Sequence, residues 1–399
     1  MNQSAASIHL PTDPNSNSKS HADSLNKKIM IIGSTCVDII INIDHLPKTE
    51  ENIHPSSQSL ALGGCAYNVA SMVKQFGVPV TLISPVGTGF YGEFVAKELE
   101  KNGFPVAVHV PGQENGCCYC LVEAGGERTF MSYHGAEYTF RKEWMTPFDK
   151  YSYDMVYVCG LEIEEPTGLD LIEYLESHPE RELFYAPGPR GIRIGKEKME
   201  RIYALHPILH INELESKELS GCTSAEDAAE KLCFLTGNTV IVTLGENGTY
   251  CRERSGIAYT VPGIPTAVVD TIGAGDSHIG AVMASLSLGN SLRKSIHIAN
   301  TAASAVVGVK GASLTEKEFR EMSRCWGQRS FDPFDTGLLR TASSHNPQKD
   351  CAFAQSFFLL YLIQPVFLLS WIVRTNVPVP SVPCTPCRLQ VLYCADAFQ

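Results

Sequence analysis

The amino-acid sequence predicts an α/β domain in which a mainly parallel sheet is covered by helices on both faces. Three observations predict it: short β-branched runs recur along the chain (IMII, VYVC, TVIV), helical stretches lie between them, and glycine turns stand where the strands end. Alternation of strand and helix is the signature of parallel βαβ units, because a parallel neighbour needs a crossover connection.

Taken in order, residues 1–27 are rich in Ser, Asn, Asp and Pro with no hydrophobic period, which predicts a disordered tail. From residue 28 the run IMIIGSTCVDIII reads as a buried strand broken by Gly33. The Gly63-Gly64 turn, a helix over 66–76 stopped by Gly77 and a strand over 80–84 complete a first βαβ-like unit. A helix in YGEFVAKELEKNGF closed by Gly103, the strand DMVYVCG, a helix over 169–175, the strands ELFYAP and ILHIN, a helix over 213–219 and the strand TVIVTLG continue the pattern. One segment breaks it. NGCCYCLVEAGGERTFMSYHGA holds two short strands joined at Ala124-Gly125-Gly126, a hairpin that predicts a small separate sheet. Such a sheet suits a lid, contributed by about 42–60 and 104–135.

The domain is expected to span 28–325, followed by an atypical tail over 326–399. Within that tail, 351–373 carries no charged residue and is long enough to span a bilayer, so any membrane association would run through it. Gln355, Gln364 and Pro365 weaken such a span. The rest reads as a reduced cytoplasmic protein, since most of the 14 cysteines are scattered and several sit in apolar or glycine-rich segments. The cluster at Cys117, Cys118 and Cys120 lies in a strand pattern, and Cys384/Cys387 lacks a second pair, which argues against zinc. A net charge of −11 argues against a nucleic-acid partner.

Chemistry concentrates in VVDTIGAGDSHIG. A helix beginning near Ala274 or Gly275 turns free N–H groups and the positive end of its dipole outward, and the small residues let an anion approach. Asp276 at that end is either a dipole-stabilising acid or a general base accepting a hydroxyl proton. Asn212 and Glu215 form a capping-box pattern at another helix start.

This segment, DTIGAGD, resembles the carboxyl-terminal signature of the ribokinase-like, or PfkB, carbohydrate kinases, and GGCAYNVASMVKQFG at 63–77 is similar to the family's upstream glycine element. Gly33-Ser-Thr-Cys-Val-Asp38, Asn212-Glu-Leu-Glu215 and Thr243-Leu-Gly-Glu-Asn-Gly248 agree with three further family motifs. The resemblance implies a three-layer α/β/α fold with a small β lid, and ATP-dependent phosphorylation of a sugar hydroxyl. It makes Asp276 the catalytic base and Gly273, Ala274 and Gly275 the anion hole. Asp38, Gly63, Gly64, Asn68 and Glu162 would hold the acceptor. Asn212, Thr243, Gly245, Gly248 and Asn300 would hold ATP, and Glu215 would hold Mg2+ through water. A monovalent cation, usually K+, would lie beside the anion hole near Asp270, the Ile272 carbonyl and Gly311, although Ile272 replaces the usual threonine. Family members often pair through their lids, which implies a homodimer.

Within this reading the acceptor is a small sugar or, alternatively, a nucleoside whose base would need an apolar slot from Tyr67, Phe130 or Tyr133. A non-catalytic sugar- or nucleotide-binding regulator would have lost the base or the anion hole, and neither is lost.

Overall fold

The computed structural model describes residues 6–10 and 27–328, the last four as backbone only. An eight-stranded sheet runs in the spatial order Ala258–Val261, Thr249–Arg252, Val240–Thr243, Ile208–Asn212, Glu182–Ala186, Met155–Cys159, Ile29–Ile32, Val80–Ile83. The six strands from Val240–Thr243 to Val80–Ile83 are parallel, and the two at the other edge are antiparallel.

Side-chain alternation divides each central strand between two apolar cores. Ile29, Ile31, Met155, Tyr157 and Phe184 pack on one face with the helices Cys65–Gln75, Ala274–Ser287 and Leu292–Val307. Met30, Ile32, Val156, Val158, Leu183 and Tyr185 pack on the other with Gly168–Glu176, Lys196–Ala204 and Ala225–Thr236. Burial on both faces is why these strands read as unbroken apolar runs. The arrangement is the expected three-layer α/β/α fold with a mainly parallel sheet.

A second sheet of four strands forms the lid, in the order Ser57–Gly63, Cys36–Asn42, Cys117–Val122, Arg128–Tyr133. Here three boundaries differ from the sequence reading. The run expected as one strand interrupted at Gly33 divides between sheets, Ile29–Ile32 in the centre and Cys36–Asn42 in the lid, so the lid begins before residue 42. The first part of the 104–135 segment expected in the lid does not belong to it. Val108–Glu114 joins a three-stranded sheet with Pro85–Thr88 and Ser7–Ile8, because Ala107, Val108 and Val110 are buried against Ile83 and Phe140 in the body of the domain. Finally, Ser7–Ile8, expected to be disordered, pairs with Val108 and His109, and Ile8 and Leu10 pack on the same core. The two apolar side chains anchor a segment whose surroundings are polar.

Among the described residues no helix is long and apolar enough to cross a membrane. The apolar segment 351–373 and Cys384/Cys387 lie outside the described residues.

Candidate active site

The first βαβ unit steps from Ile29–Ile32 outward to Val80–Ile83, and the next strand, Met155–Cys159, lies on the opposite side of Ile29–Ile32. Strand order therefore reverses between Ile29–Ile32 and Met155–Cys159, and a crevice outside the carboxyl ends at such a point is where open α/β sheets bind ligands. The residues just beyond these two strands meet there. The Ser34 amide donates to Glu162 Oε1 at 2.7 Å. Glu162 is fully buried, burial pushes its carboxyl above the ordinary value, and its Oε2 has no hydrogen-bonding partner among the described residues. Thr35 Oγ1 is likewise buried and unpartnered.

Gly64 precedes the helix Cys65–Gln75, whose first turn carries Asn68. Asn68 Nδ2 donates to Asp276 Oδ2 at 2.9 Å, joining two sequence motifs 208 residues apart. Asn68 Oδ1 has no partner among the described residues. Asp276 lies in the first turn of Ala274–Ser287, and Gly273 enters that helix with φ 71°. A side chain at Gly273 would be strained by that angle and would strike Ala312. The amides of Gly275 and Asp276 donate to nothing among the described residues, and the space a side chain at Gly275 would fill is open. This is an anion-receptive helix start with a carboxylate beside it.

Asp276 keeps a partial opening to solvent, yet protein atoms surround it closely. Desolvation raises its pKa from 3.8 to about 6, tempered by hydrogen bonds from Asn68 and Cys65. Asp38, on the lid strand Cys36–Asn42, is also raised to about 6 by desolvation, with the Asp276 charge adding to the rise and a contact from Cys36 opposing it. Gly63 lies against the Asp38 carboxylate, which occupies the place a side chain at 63 would take. Two carboxyls with raised pKa thus lie within electrostatic reach of each other, a common property of catalytic sites.

On the other flank, Asn212 Oδ1 accepts from the Glu215 amide at 2.8 Å, and Glu215 Oε2 accepts from the Asn212 amide at 3.2 Å, a complete capping box. Burial raises the Glu215 carboxyl, and the Asp276 charge contributes to the rise. Among the described residues no group of three or more His, Cys, Asp or Glu side chains is placed to hold a metal ion. A magnesium ion that keeps most of its waters fits the Glu215 oxygen left outside the capping box. Thr243 stands beside Asn212 in register, and the turn from Gly245 to Gly248 is closed by the Leu244 amide on the Gly248 carbonyl at 2.7 Å.

Three expectations are corrected. Asn300 does not face a nucleotide: it is buried, its amide donates to the carbonyls of Val261 and Pro262, and its Oδ1 accepts from Thr249 at 2.6 Å. It completes a buried network with His278 and His210, which joins the Ile208–Asn212 strand to the helix of Asp276. Tyr67 is buried edge-on against Phe104 in the core, so it lines no base slot, while Phe130 and Tyr133 are 55% and 65% exposed. Around Asp270, the backbone amides of Ile272 and Gly311 both donate to its carboxylate. Oδ1 accepts from Ile272 at 2.9 Å and pairs with Arg128 Nη1 at 2.8 Å, and Oδ2 accepts from Gly311 at 2.9 Å. With Arg128 seated on it, the Asp270 carboxylate expected to face a monovalent cation is already neutralised.

The family model for pfkB family carbohydrate kinases matches residues 26–318. The chain belongs to the pfkB family of carbohydrate kinases. It is 32% identical over 300 residues to the uncharacterized sugar kinase YegV of Escherichia coli (strain K12), covering 71% of this chain and 90% of that one. Its fold is shared with a ribokinase from Thermotoga maritima (TM-score 0.66, 24% identity, 75% of this chain and 99% of that one). It is shared equally with an adenosine kinase from Sinorhizobium meliloti (TM-score 0.67, 22% identity, 75% and 99%). As a pfkB-family kinase the protein is a phosphotransferase acting on an alcohol group.

Sequence reasoning assigned no role to two residues at this pfkB-family site. Arg128 stood in the quoted GERTF hairpin, but its pairing with Asp270 spans 142 positions and leaves no local signal. Cys65 borders the glycine pair and touches Asp276 only because the two helix starts converge.

Proposed function

We propose that the chain transfers the γ-phosphoryl group of ATP to a hydroxymethyl group of a small sugar. Ionised Asp276 accepts the hydroxyl proton, while the amides at Gly275 and Asp276 stabilise charge gathering on the transferred group. Gly273 and Ala274 shape that helix start. Asp38, Gly63, Gly64, Asn68 and Glu162 hold the acceptor. Asn212, Thr243, Gly245 and Gly248 border the nucleotide, with Glu215 holding magnesium through water. The observation that carries the reading is the Asn68–Asp276 hydrogen bond, which unites the acceptor motif and the anion-hole helix at one point.

A sugar is favoured over a nucleoside by the polar atoms left without partners at Asn68, Glu162 and Thr35, which suit several hydroxyls. The inward turn of Tyr67 removes one wall of any base slot. The test is ADP release from ATP with ribose, other pentoses, hexoses, ketodeoxy acids and nucleosides. A sugar is expected to give the highest kcat/KM. A nucleoside in first place overturns the acceptor assignment, and sugar binding with no ADP release overturns catalysis in favour of a regulator. Pairing of two copies through the lid is supported by the exposed Phe130, Met131 and Tyr133 on its edge strand rather than by Cys117–Val122, which lies between two other strands. A monomeric mass in solution would exclude it.

A further inference from the structure

Arg128 opens the lid strand Arg128–Tyr133, directly after the hairpin turn, while Asp270 precedes the anion-hole loop in the body of the domain. The two side chains are 17% and 5% exposed, and their ions meet at 2.8 Å. The same carboxylate holds the amides of Ile272 and Gly311, and Gly273 packs on Ala312. One buried anion therefore ties together the anion-hole loop, the 311–312 turn and the lid. Left without a positive partner, such an anion would be strongly disfavoured. A guanidinium supplies the charge permanently and in a planar fork, and while it sits on Oδ1 a metal ion finds the carboxylate already neutralised.

We propose that Arg128 is the built-in cation of this site: carried by the lid, it neutralises Asp270 and holds the anion-hole loop ready, so that turnover needs no monovalent metal ion. The proposal rests on the phosphoryl-transfer reading above and deepens it. It makes lid placement and anion-hole order one event, so a sugar that draws the lid down also prepares the site for the phosphoryl group.

The test uses the full chain as wild type, Arg128→Met and Arg128→Lys, at equal ionic strength in potassium chloride or tetramethylammonium chloride. Wild-type kcat is expected to differ by less than about twofold between the salts, and Arg128→Met to fall by about tenfold or more in tetramethylammonium. Potassium should restore about fivefold of that loss, and Arg128→Lys, which keeps a charge without the fork, should lose less than the Met variant. Melting supplies an arm independent of turnover: potassium should raise the melting temperature of Arg128→Met by about 2 °C or more and leave the wild type unmoved. Potassium activation of the wild type beyond about twofold overturns the proposal, as does an Arg128→Met protein unaltered in rate and melting. Loss of activity that potassium rescues in neither assay also overturns it. If no acceptor is phosphorylated, the functional reading fails, and the melting arm still judges Arg128 on its own.

Discussion

Replacing Asp276 with Asn separates catalysis from stability, because the structure predicts that the two move in opposite directions. The folded site holds this carboxyl at about 6 against an ordinary 3.8, chiefly through desolvation. That difference corresponds to about 3 kcal/mol by which the ionised group disfavours the folded state. The sign follows from proton binding: between the two values the folded protein binds more protons than the unfolded chain, so stability falls as pH rises, and the full penalty stands above about 6. Asp276→Asn removes the charge while keeping an oxygen for Asn68 to donate to. The variant should melt roughly 5–10 °C higher at pH 8, and the difference should close as pH falls towards 4. Buried His210 and His278, whose pKa values are lowered by desolvation, destabilise both proteins alike as pH drops below 6.5, so the comparison cancels them. Turnover should fall by about 10²–10⁴-fold with ATP binding retained, and wild-type kcat/KM should lose activity on the acid side near pH 6. Paired calorimetric melts across pH 4–8 and steady-state ADP release decide it. An active variant refutes the base assignment, and a variant less stable than wild type at pH 8 refutes the electrostatic argument.

Gly63→Ala places a methyl where the Asp38 carboxylate lies, so the acceptor KM should rise by about tenfold while the ATP KM stays unchanged; a change confined to ATP would show that Asp38 does not serve the acceptor. Glu215→Gln can still complete the capping box, so stability should shift by less than about 0.5 kcal/mol. Its half-saturating magnesium concentration should nevertheless rise several-fold, measured by magnesium titration of initial rates.

The fold was legible because its determinants are local. Parallel strands buried on both faces leave unbroken runs such as Ile29–Ile32 and Met155–Cys159, and the glycines at 64 and 273 stand where a helix is entered. What could not be read was which sheet a strand joins. Cys36–Asn42 continues the apolar character of Ile29–Ile32 across three residues, and only the turn at Gly33 to Thr35 sends it to the lid. The site divides similarly. Asp276, Asn68 and Asn212 sit in short motifs whose spacing survives in the sequence, whereas the Arg128–Asp270 pair and the enclosure of Asn300 depend on contacts between distant segments.

Several site residues were weighed in the sequence as either structural or functional, and the structure shows why those alternatives do not exclude each other. A helix start is the place where a capping side chain, a free amide and a dipole coincide. Asn212 and Glu215 do complete a capping box, and in the proposed function the same contacts orient Glu215 towards a phosphate-bound cation. Asp270 likewise secures two backbone turns through Ile272 and Gly311, so its engagement with Arg128 is passed through the backbone towards the helix start that carries Asp276. In Asp276 the two demands conflict. The enclosure that raises its pKa towards the range useful for a base is the same enclosure that opposes folding of the ionised form. Asn68 eases the conflict, since its one hydrogen bond stabilises the anion and fixes its direction, while its Oδ1 has no partner among the described residues and remains available to an acceptor hydroxyl.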